Sequence, residues 1–344
     1  MLLTEELNQL WLQLSESPDL GSQLRDSLQS LAASAKYREW AASEPRNRLV
    51  LPSETTPISS SLLHELGLVR NGELQVKVNE IDEKFFITDG AWVSHLMRVF
   101  PDPDEAQVLL NFAGSRGYGE WANWVIDPAA GCGHTPLGFT GQAKRISCDA
   151  NVRAITYAHI NARINGFGSD RFFGLMNDMR TGFPASLQMQ GNVLFLSNVP
   201  FAPSPREGAL ALNSAGGSTG ADLQAACFRL VRDFHCKRKL PVRACFLTWT
   251  LGHLGNQDWE VPQLCRETFD DSNISFQLID HDYDAPELPN PAPLHDMLMS
   301  LASSQYTVQS GDRSVQIDYE SLSRSLSQRG FTHIAYGMLE CNLS

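Results

Sequence analysis

The sequence predicts an α/β fold: a seven-stranded, doubly wound, mostly parallel sheet with a small helical N-terminal domain. Three observations predict it. Short apolar runs alternate with helical stretches from Asn123 onward, the preceding part carries apolar residues at helical spacing, and a strand running into a turn of small residues opens the alternating part. Strands that alternate with helices pack as a parallel sheet wrapped on both faces. A length of 344 residues suits two compact units, divided here as 1–84 and 85–344.

In order along the chain, Leu7, Leu10, Trp11 and Leu14, then Leu24, Leu28 and Leu31, make two amphipathic helices between residues 4 and 42, broken near Pro18 and Gly21. After Pro52 to Ser60, SSLLHELGLV is helical and leads into Asn71-Gly72. ELQVKVNEI and KFFITD then alternate as a strand pair. The sheet strands are NWVID, RISCD, RFFGLM, NVLFLSN, VRACFLTWT, ISFQLID and HIAYGMLEC. A long connection, roughly residues 285 to 330, separates the last two, which suits an antiparallel edge. Pro286 to Pro293 reads as an exposed loop before a helix.

Composition excludes several functions. Apolar residues make up 42% and charged ones 19%, ordinary for a folded enzyme. The net charge of -12 repels phosphate backbones and anionic bilayers, so nonspecific nucleic-acid binding is disfavoured. The basic run Arg229, Arg232, Lys237, Arg238, Lys239 and Arg243 reads as a solvated helix end and the turn after it, with a local basic patch as the alternative. Seven cysteines, without CxxC or Cys/His spacing, read as reduced, mostly buried thiols and no metal site. The first residues lack the basic flank and apolar core of an export signal, and no window is long enough to span a membrane. The expectation is a cytoplasmic protein.

The sharpest feature is Val125-Ile126-Asp127-Pro128-Ala129-Ala130-Gly131-Cys132-Gly133-His134. Alanine and glycine admit a ligand close to the backbone, and the helix that follows offers unpaired N–H groups. Asp149, at the end of RISCD, is placed to accept both hydroxyls of a ribose. The dinucleotide pattern G-x-G-x-x-G is absent. Asp127 would crowd a pyrophosphate but suits a cationic sulfonium ligand carrying an ammonium group. A tight strand-to-helix connection is the bland alternative.

On these residues the chain resembles class I S-adenosylmethionine methyltransferases, with Asp127, Ala129, Gly131 and Gly133 at the positions of their first motif. The resemblance implies a Rossmann-like methyltransferase sheet, with S-adenosyl-L-methionine as cofactor and the turn lining its methionine part. It places Asp149 and Ala150 at the ribose and Asp178 at the adenine edge, where a solvated turn aspartate is the alternative. DANVRAITYAHINARING is similar to the family's second helix, down to the Asn161 to Gly166 ending.

The fourth sheet strand runs into Asn198-Val199-Pro200-Phe201, which should face the crevice at the carboxyl ends of the strands. An amide or aryl nitrogen has a delocalised lone pair, so hydrogen bonds from its N–H groups to an Asn oxygen and a backbone carbonyl would activate and aim it. The tetrapeptide resembles the Asn-Pro-Pro-Phe/Tyr signature of methyltransferases acting on planar nitrogens, the HemK-like group with an extra N-terminal domain. That resemblance implies Asn198 and the carbonyl of residue 199 as acceptors and Phe201 as a stacking ring. Val199 departs from the usual proline, which removes a fixed φ and adds an N–H. A strand end before the turn APSP is the alternative reading.

Gly-Gly-x-x-Gly from Gly216 lacks a phosphate-loop lysine and reads as helix entry; it and FLTWTLGHLGNQDW are similar to the same subgroup. Phe85 to Asp89 resembles its entry segment, which would bring Asp89 near the cofactor; a capped strand is the alternative. His134 and His253 read first as hydrogen-bonded residues and second as proton carriers. The methyl acceptor is left open among a protein glutamine, a nucleobase and a small metabolite, and a small-molecule O- or C-methyltransferase or a non-catalytic S-adenosylmethionine-binding protein are the rival functions.

Overall fold

A computed structural model describes residues 4–42, 49–51, 59–90, 92–93, 97–99, 104–184, 187–204, 210, 214–255, 258–269, 274–280, 286–303, 308–310, 313–315 and 317–343. Most of the link from Pro52 to Ser60, and Pro205 of the turn APSP, lie outside them.

The N-terminal part contains α1 (Thr4–Glu16), α2 (Pro18–Ala33), α3 (Ala35–Ala42) and α4 (Ser59–Glu65). Leu7, Leu10, Leu14, Leu24 and Leu28 are buried, as their spacing requires. Two differences from expectation stand out. A third helix follows Ala33, and Gly21 lies inside α2 instead of breaking it. Its missing side chain is the reason: a Cβ there would sit 2.6 Å from the carbonyl oxygen of Arg163. Pro18 opens α2 at a position where its lost N–H is not needed.

Two hairpins follow, β1 (Val69–Arg70) with β2 (Glu73–Leu74), and β3 (Lys77–Ile81) with β4 (Lys84–Thr88). Asn71 and Gly72 both have positive φ, which a two-residue hairpin turn of this hand demands. The division after residue 84 falls at the first residue of β4, whose Phe85 and Ile87 join a core made by the N-terminal leucines.

The second part runs through α5 (Asp104–Ser115), α6 (Tyr118–Trp121), β5 (Trp124–Asp127), α7 (His134–Gly138), β6 (Lys144–Asp149), α8 (Val152–Ile164), β7 (Phe172–Met176), β8 (Val193–Asn198) and α9 (Asp222–Arg238). It continues with β9 (Val242–His253), β10 (Asp258–Trp259), α10 (Glu260–Phe269), β11 (Ile274–Leu278), β12 (Ala292–Pro293) and α11 (Leu294–Ser303). A hairpin of β13 (Val308–Ser310) and β14 (Arg313–Val315), α12 (Tyr319–Gln328) and β15 (His333–Leu343) complete it.

The seven predicted runs all form strands, in the order β11-β15-β9-β8-β5-β6-β7, but the sheet has nine. The extra two are two-residue strands that sequence periodicity is too short to register: β10 pairs with β9 and β12 with β15. The five strands β9, β8, β5, β6 and β7 are parallel, whereas β15 runs against both β9 and β11. From β5 the chain steps outward through β6 and β7, then returns to the other side of β5 as β8. The order therefore reverses between β5 and β8, the switch point at which doubly wound sheets place their ligand crevice.

Each face of the sheet has its own core. Val125, Leu194, Leu196, Leu247, Trp249 and Tyr336 lie on the face covered by α5, and Ile126, Ile146, Phe195 and Phe246 on the other. A third core joins the N-terminal helices to Ala154, Tyr157, Ile160 and Ile164 of α8. The side chains of Asn161 and Asn165 hold β4 to the same helix. Asn161 accepts from the Ile87 N–H at 2.8 Å and donates to the carbonyls of Ile87 and Cys132; Asn165 accepts from the Phe85 N–H at 3.0 Å and donates to its carbonyl. A carboxamide thus plays the part of a neighbouring strand. Asn161 is fully buried, so Asn161→Ala strands three backbone groups. It should destabilise the fold by roughly 2–4 kcal/mol in urea unfolding, and a loss below about 0.5 kcal/mol would contradict this role.

Candidate functional site

The turn after β5 is built by its own polar groups. Asp127 is buried, and its Oδ1 accepts from the Ala129 N–H at 3.0 Å and from Ser197 Oγ at 2.6 Å. Ala130 donates to the Cys148 carbonyl, and Gly131 donates to Asp149 Oδ2 at 2.9 Å. Gly131 and Gly133 both have positive φ, but their sides differ. A Cβ on Gly133 would meet Leu137 at 3.0 Å and Ala158 at 3.3 Å, whereas on Gly131 the nearest atom, of Val99, is 3.9 Å away. Gly133 is small for packing onto α8; among the described residues nothing presses on Gly131. Ala129 is half-buried at the same rim.

Asp149 is half-buried at the tip of the neighbouring strand, with Ala150 exposed beside it. Its other oxygen accepts from the Asn151 N–H at 2.8 Å. Burial pushes the Asp149 carboxyl up to about 6 against the pull of those N–H bonds, and pushes Asp127 up to about 7. Backbone N–H groups of Gly131, Ala150 and Asn151 are the donors to the two Asp149 oxygens. Asp178 stands just beyond β7, but its carboxylate accepts from the backbone and side chain of Arg180 and is held below the usual carboxylate range by those bonds. Its neighbour Asn177 donates its N–H to the Asp149 carbonyl at 2.9 Å, and its buried side-chain Nδ2 has no hydrogen-bond partner among the described residues. In the sequence Asn177 is overshadowed by the acid beside it, the residue type expected at a base edge.

Asp89 is fully buried and faces α8. It forms an ion pair and hydrogen bond with Arg153, accepts from Tyr157 Oη at 3.0 Å and accepts from the Val99 N–H at 3.0 Å. Asn151 Nδ2 donates to the Met97 carbonyl at 2.9 Å. Asp89 therefore fastens the chain around Val99 beside Gly131, with its own oxygens occupied.

On the other side of the switch point, Asn198 ends β8. Its Nδ2 donates to Glu105 Oε2 at 2.5 Å, and its buried Oδ1 has no partner among the described residues. A carboxylate can only accept, so Glu105 dictates which end of the amide faces the crevice. Tyr336 Oη donates to the other Glu105 oxygen at 3.4 Å. Val199 is buried in the core of the opposite face, Pro200 is half-exposed, and the Phe201 ring packs on Trp249 at 5.0 Å and on Tyr336 at 6.2 Å. The glycine segment lies along this exit: Gly216 donates to the Ala202 carbonyl, and a Cβ on Gly220 would collide with the Phe201 carbonyl at 2.0 Å. It braces the tetrapeptide and opens α9. Nothing in the sequence marks Glu105 or Ser197, and Trp249 stands out there only as one of seven tryptophans, most expected in the core and one or two available to an aromatic acceptor; their proximity in the fold singles them out.

His134 is buried against Phe86, and burial lowers it to about 3, so it stays neutral; His253 is exposed. Among the described residues no group of three or more His, Cys, Asp or Glu could hold a metal ion, and no helix is long and apolar enough to cross a membrane.

No protein-family model and no curated protein matches the chain. Solved structures similar to it include the T. thermophilus 16S rRNA N2 G1207 methyltransferase RsmC in complex with AdoMet and guanosine, at 12% identity over 83% of this chain and 62% of that one, TM-score 0.40. A Methanocaldococcus jannaschii protein, the M.jannaschii tRNA m1G37 methyltransferase, is 11% identical over 78% of this chain and 58% of that one, TM-score 0.37. The Pyrococcus horikoshii protein PH0793 is 10% identical over 93% of this chain and all of that one, TM-score 0.38. The chain spans less than two thirds of the two RNA methyltransferases. The chemistry of the site rests on this chain's own residues.

The raised Asp127 carboxyl has a measurable consequence. Between its ordinary value of 3.8 and about 7 the folded chain holds a proton there that the unfolded chain has released. Stability therefore falls as pH rises through that window, by at most about 1.4 kcal/mol per pH unit from this group. Asp127→Asn should remove that share: the difference in unfolding free energy between variant and parent should grow in the variant's favour from pH 4 to 7. A flat difference would show that Asp127 is not strained by burial. Asp149 acts in the same direction up to about pH 6 and is present in both proteins.

Proposed function

We propose that this chain is an S-adenosyl-L-methionine-dependent methyltransferase that methylates a nitrogen of a planar group. The observation that carries the reading is Asn198: a carboxamide at a switch-point strand tip, held by Glu105 so that its buried oxygen is left to accept an N–H. The residues of the β5 turn fit the cofactor. Among the described residues nothing presses on Gly131 where a ligand would approach, Asp149 presents a carboxylate for ribose hydroxyls, and Asn177 beside it has a donor with no partner. When bound, S-adenosylmethionine supplies an electrophilic methyl on a sulfonium.

The chain's own residues would do the rest by position. Asp127, Ala129, Gly131 and Gly133 shape the seat of the methionine part, Asp149 and Ala150 that of the ribose, and Asp178 with Asn177 that of the base. Asp89 acts from behind, through Arg153 and Val99. Asn198 Oδ1 and the Val199 carbonyl accept the hydrogens of the target nitrogen, which keeps its lone pair directed along the line of attack. Phe201, braced by Trp249, walls the acceptor plane. Methyl transfer from a sulfonium needs alignment more than a strong base, so neutral His134 is not required.

The acceptor class is a protein glutamine, a nucleobase or a small metabolite. Val199 in place of proline favours, as a second reading, a small-molecule acceptor with oxygen or carbon as target. Incubation with radiolabelled cofactor and fractionated lysate tests the whole proposal: label should enter one fraction, and no label anywhere, with no heat on titrating S-adenosylhomocysteine, would end it. Asn198→Ala should leave S-adenosylhomocysteine affinity within about twofold and lower turnover about 10²–10³-fold; unchanged turnover would refute its role. Glu105→Ala, which frees the amide to turn, should lower turnover about tenfold or more with cofactor affinity unchanged. Equal loss of cofactor affinity would mark Glu105 as merely structural.

A further inference from the structure

We infer that the indole N–H of Trp249 is a specificity-determining donor of the acceptor site, and that it selects a planar H–N–C=X edge, where X is a carbonyl oxygen or ring nitrogen flanking the target nitrogen. The inference rests on the methyl-transfer reading and deepens it.

Trp249 is 3% exposed, and its Nε1 has no hydrogen-bond partner among the described residues. An indole N–H buried this way is seldom left unpaired, since desolvation is not repaid. Its position makes it more than a core ring. Asn198 pairs with Leu247 in the register of β8 and β9, and Leu247 and Trp249 point to the same face two residues apart. Leu194 and Leu196 of β8, and Cys245, Leu247 and Trp249 of β9, share the core under α5, so Asn198 lies on that face as well. β9 continues past the end of β8, which puts Trp249 beyond the strand tip, against Phe201 at 5.0 Å. Tyr336, opposite Trp249 in the β9–β15 register, reaches Glu105, which holds Asn198.

Two orphan atoms of opposite kind therefore lie on one face of the sheet, at the carboxyl end of neighbouring strands: an acceptor, Asn198 Oδ1, and a donor, Trp249 Nε1. Neither satisfies the other. A group offering an N–H and, one atom away, a lone pair satisfies both at once, and a carboxamide or an amine on a ring carbon next to a ring nitrogen is such a group. An aryl amine without a flanking lone pair satisfies only Asn198. A site whose buried polar atom would be left bare discriminates strongly against that ligand.

Nuclear magnetic resonance of protein labelled with ¹⁵N-tryptophan tests this, with Trp249→Phe assigning the signal and keeping a ring against Phe201. The probes are benzamide, 2-aminopyridine and aniline. Benzamide or 2-aminopyridine should move the Trp249 indole N–H downfield and bind about tenfold more weakly to Trp249→Phe; which of the two does so separates the carbonyl from the ring-nitrogen source. Aniline should leave the signal in place and bind both proteins alike. A Trp249 signal that no probe moves, or that aniline moves equally, would overturn the inference. The methyl-transfer reading fails separately, if radiolabel enters no fraction while the indole shift is seen.

Discussion

The bond between α8 and the edge of β4 is what the rest of the architecture leans on. A strand edge carries unpaired N–H and C=O groups, and among the described residues β4 has only β3 as a neighbouring strand. Asn161 and Asn165, one helical turn apart, satisfy Phe85 and Ile87 on the free edge. Arg153, on the same helix, neutralises the buried Asp89 just past the strand. Removing either tie would leave buried polar groups without partners, so the helix and the strand form one unit. Because Asn161 also holds the Cys132 carbonyl, and Asn151 caps the helix while bonding Met97, that unit carries the β5 turn and the chain around Val99 with it.

The two carboxylates at the tips of β5 and β6 follow from that frame. Neither has a cationic side-chain partner in a hydrogen bond; both are held by backbone N–H groups and, for Asp127, a serine hydroxyl. Burial raises both carboxyls because such donors offset only part of the lost hydration. The turn between them is consequently rigid in shape and strained in charge. In the proposed function a cationic ligand would relieve that strain.

Periodicity made the parallel strands and the N-terminal leucine stripes legible in sequence, since each buried strand is a continuous apolar run and each helix a stripe. It failed where packing decides. Gly21 reads as a breaker because a lone glycine carries no record of the carbonyl of Arg163 pressed against it. The two-residue strands β10 and β12 have no period to read. At the candidate site, Asp127, Gly131, Asp149 and Asn198 stand on strand tips and are legible for that reason. Glu105 lies 93 residues from Asn198 in the chain, and Trp249 belongs to an apolar run like any other. Only the register of β8, β9 and β15 brings them together.

Val199 shows how the fold answers a departure from a motif. Proline at that position would fix φ and stiffen the exit from β8. Here stiffness comes from two other sources. The valine side chain is buried in the core of the face opposite α5, so the backbone cannot turn without exposing it. Beyond it, Ala202 donates to the Ser214 carbonyl, Gly216 donates back to Ala202, and Ser204 donates to Gly217, so the exit is paired as a short ladder. Gly216 and Gly220 have no side chain because Phe201 backbone atoms lie within 2.7 Å and 2.0 Å of where their Cβ atoms would be. The glycines that read as a helix entry are therefore the counterpart of the missing proline: they let a second chain segment lie against the tetrapeptide and fix the residues just after it by hydrogen bonds instead of by a ring.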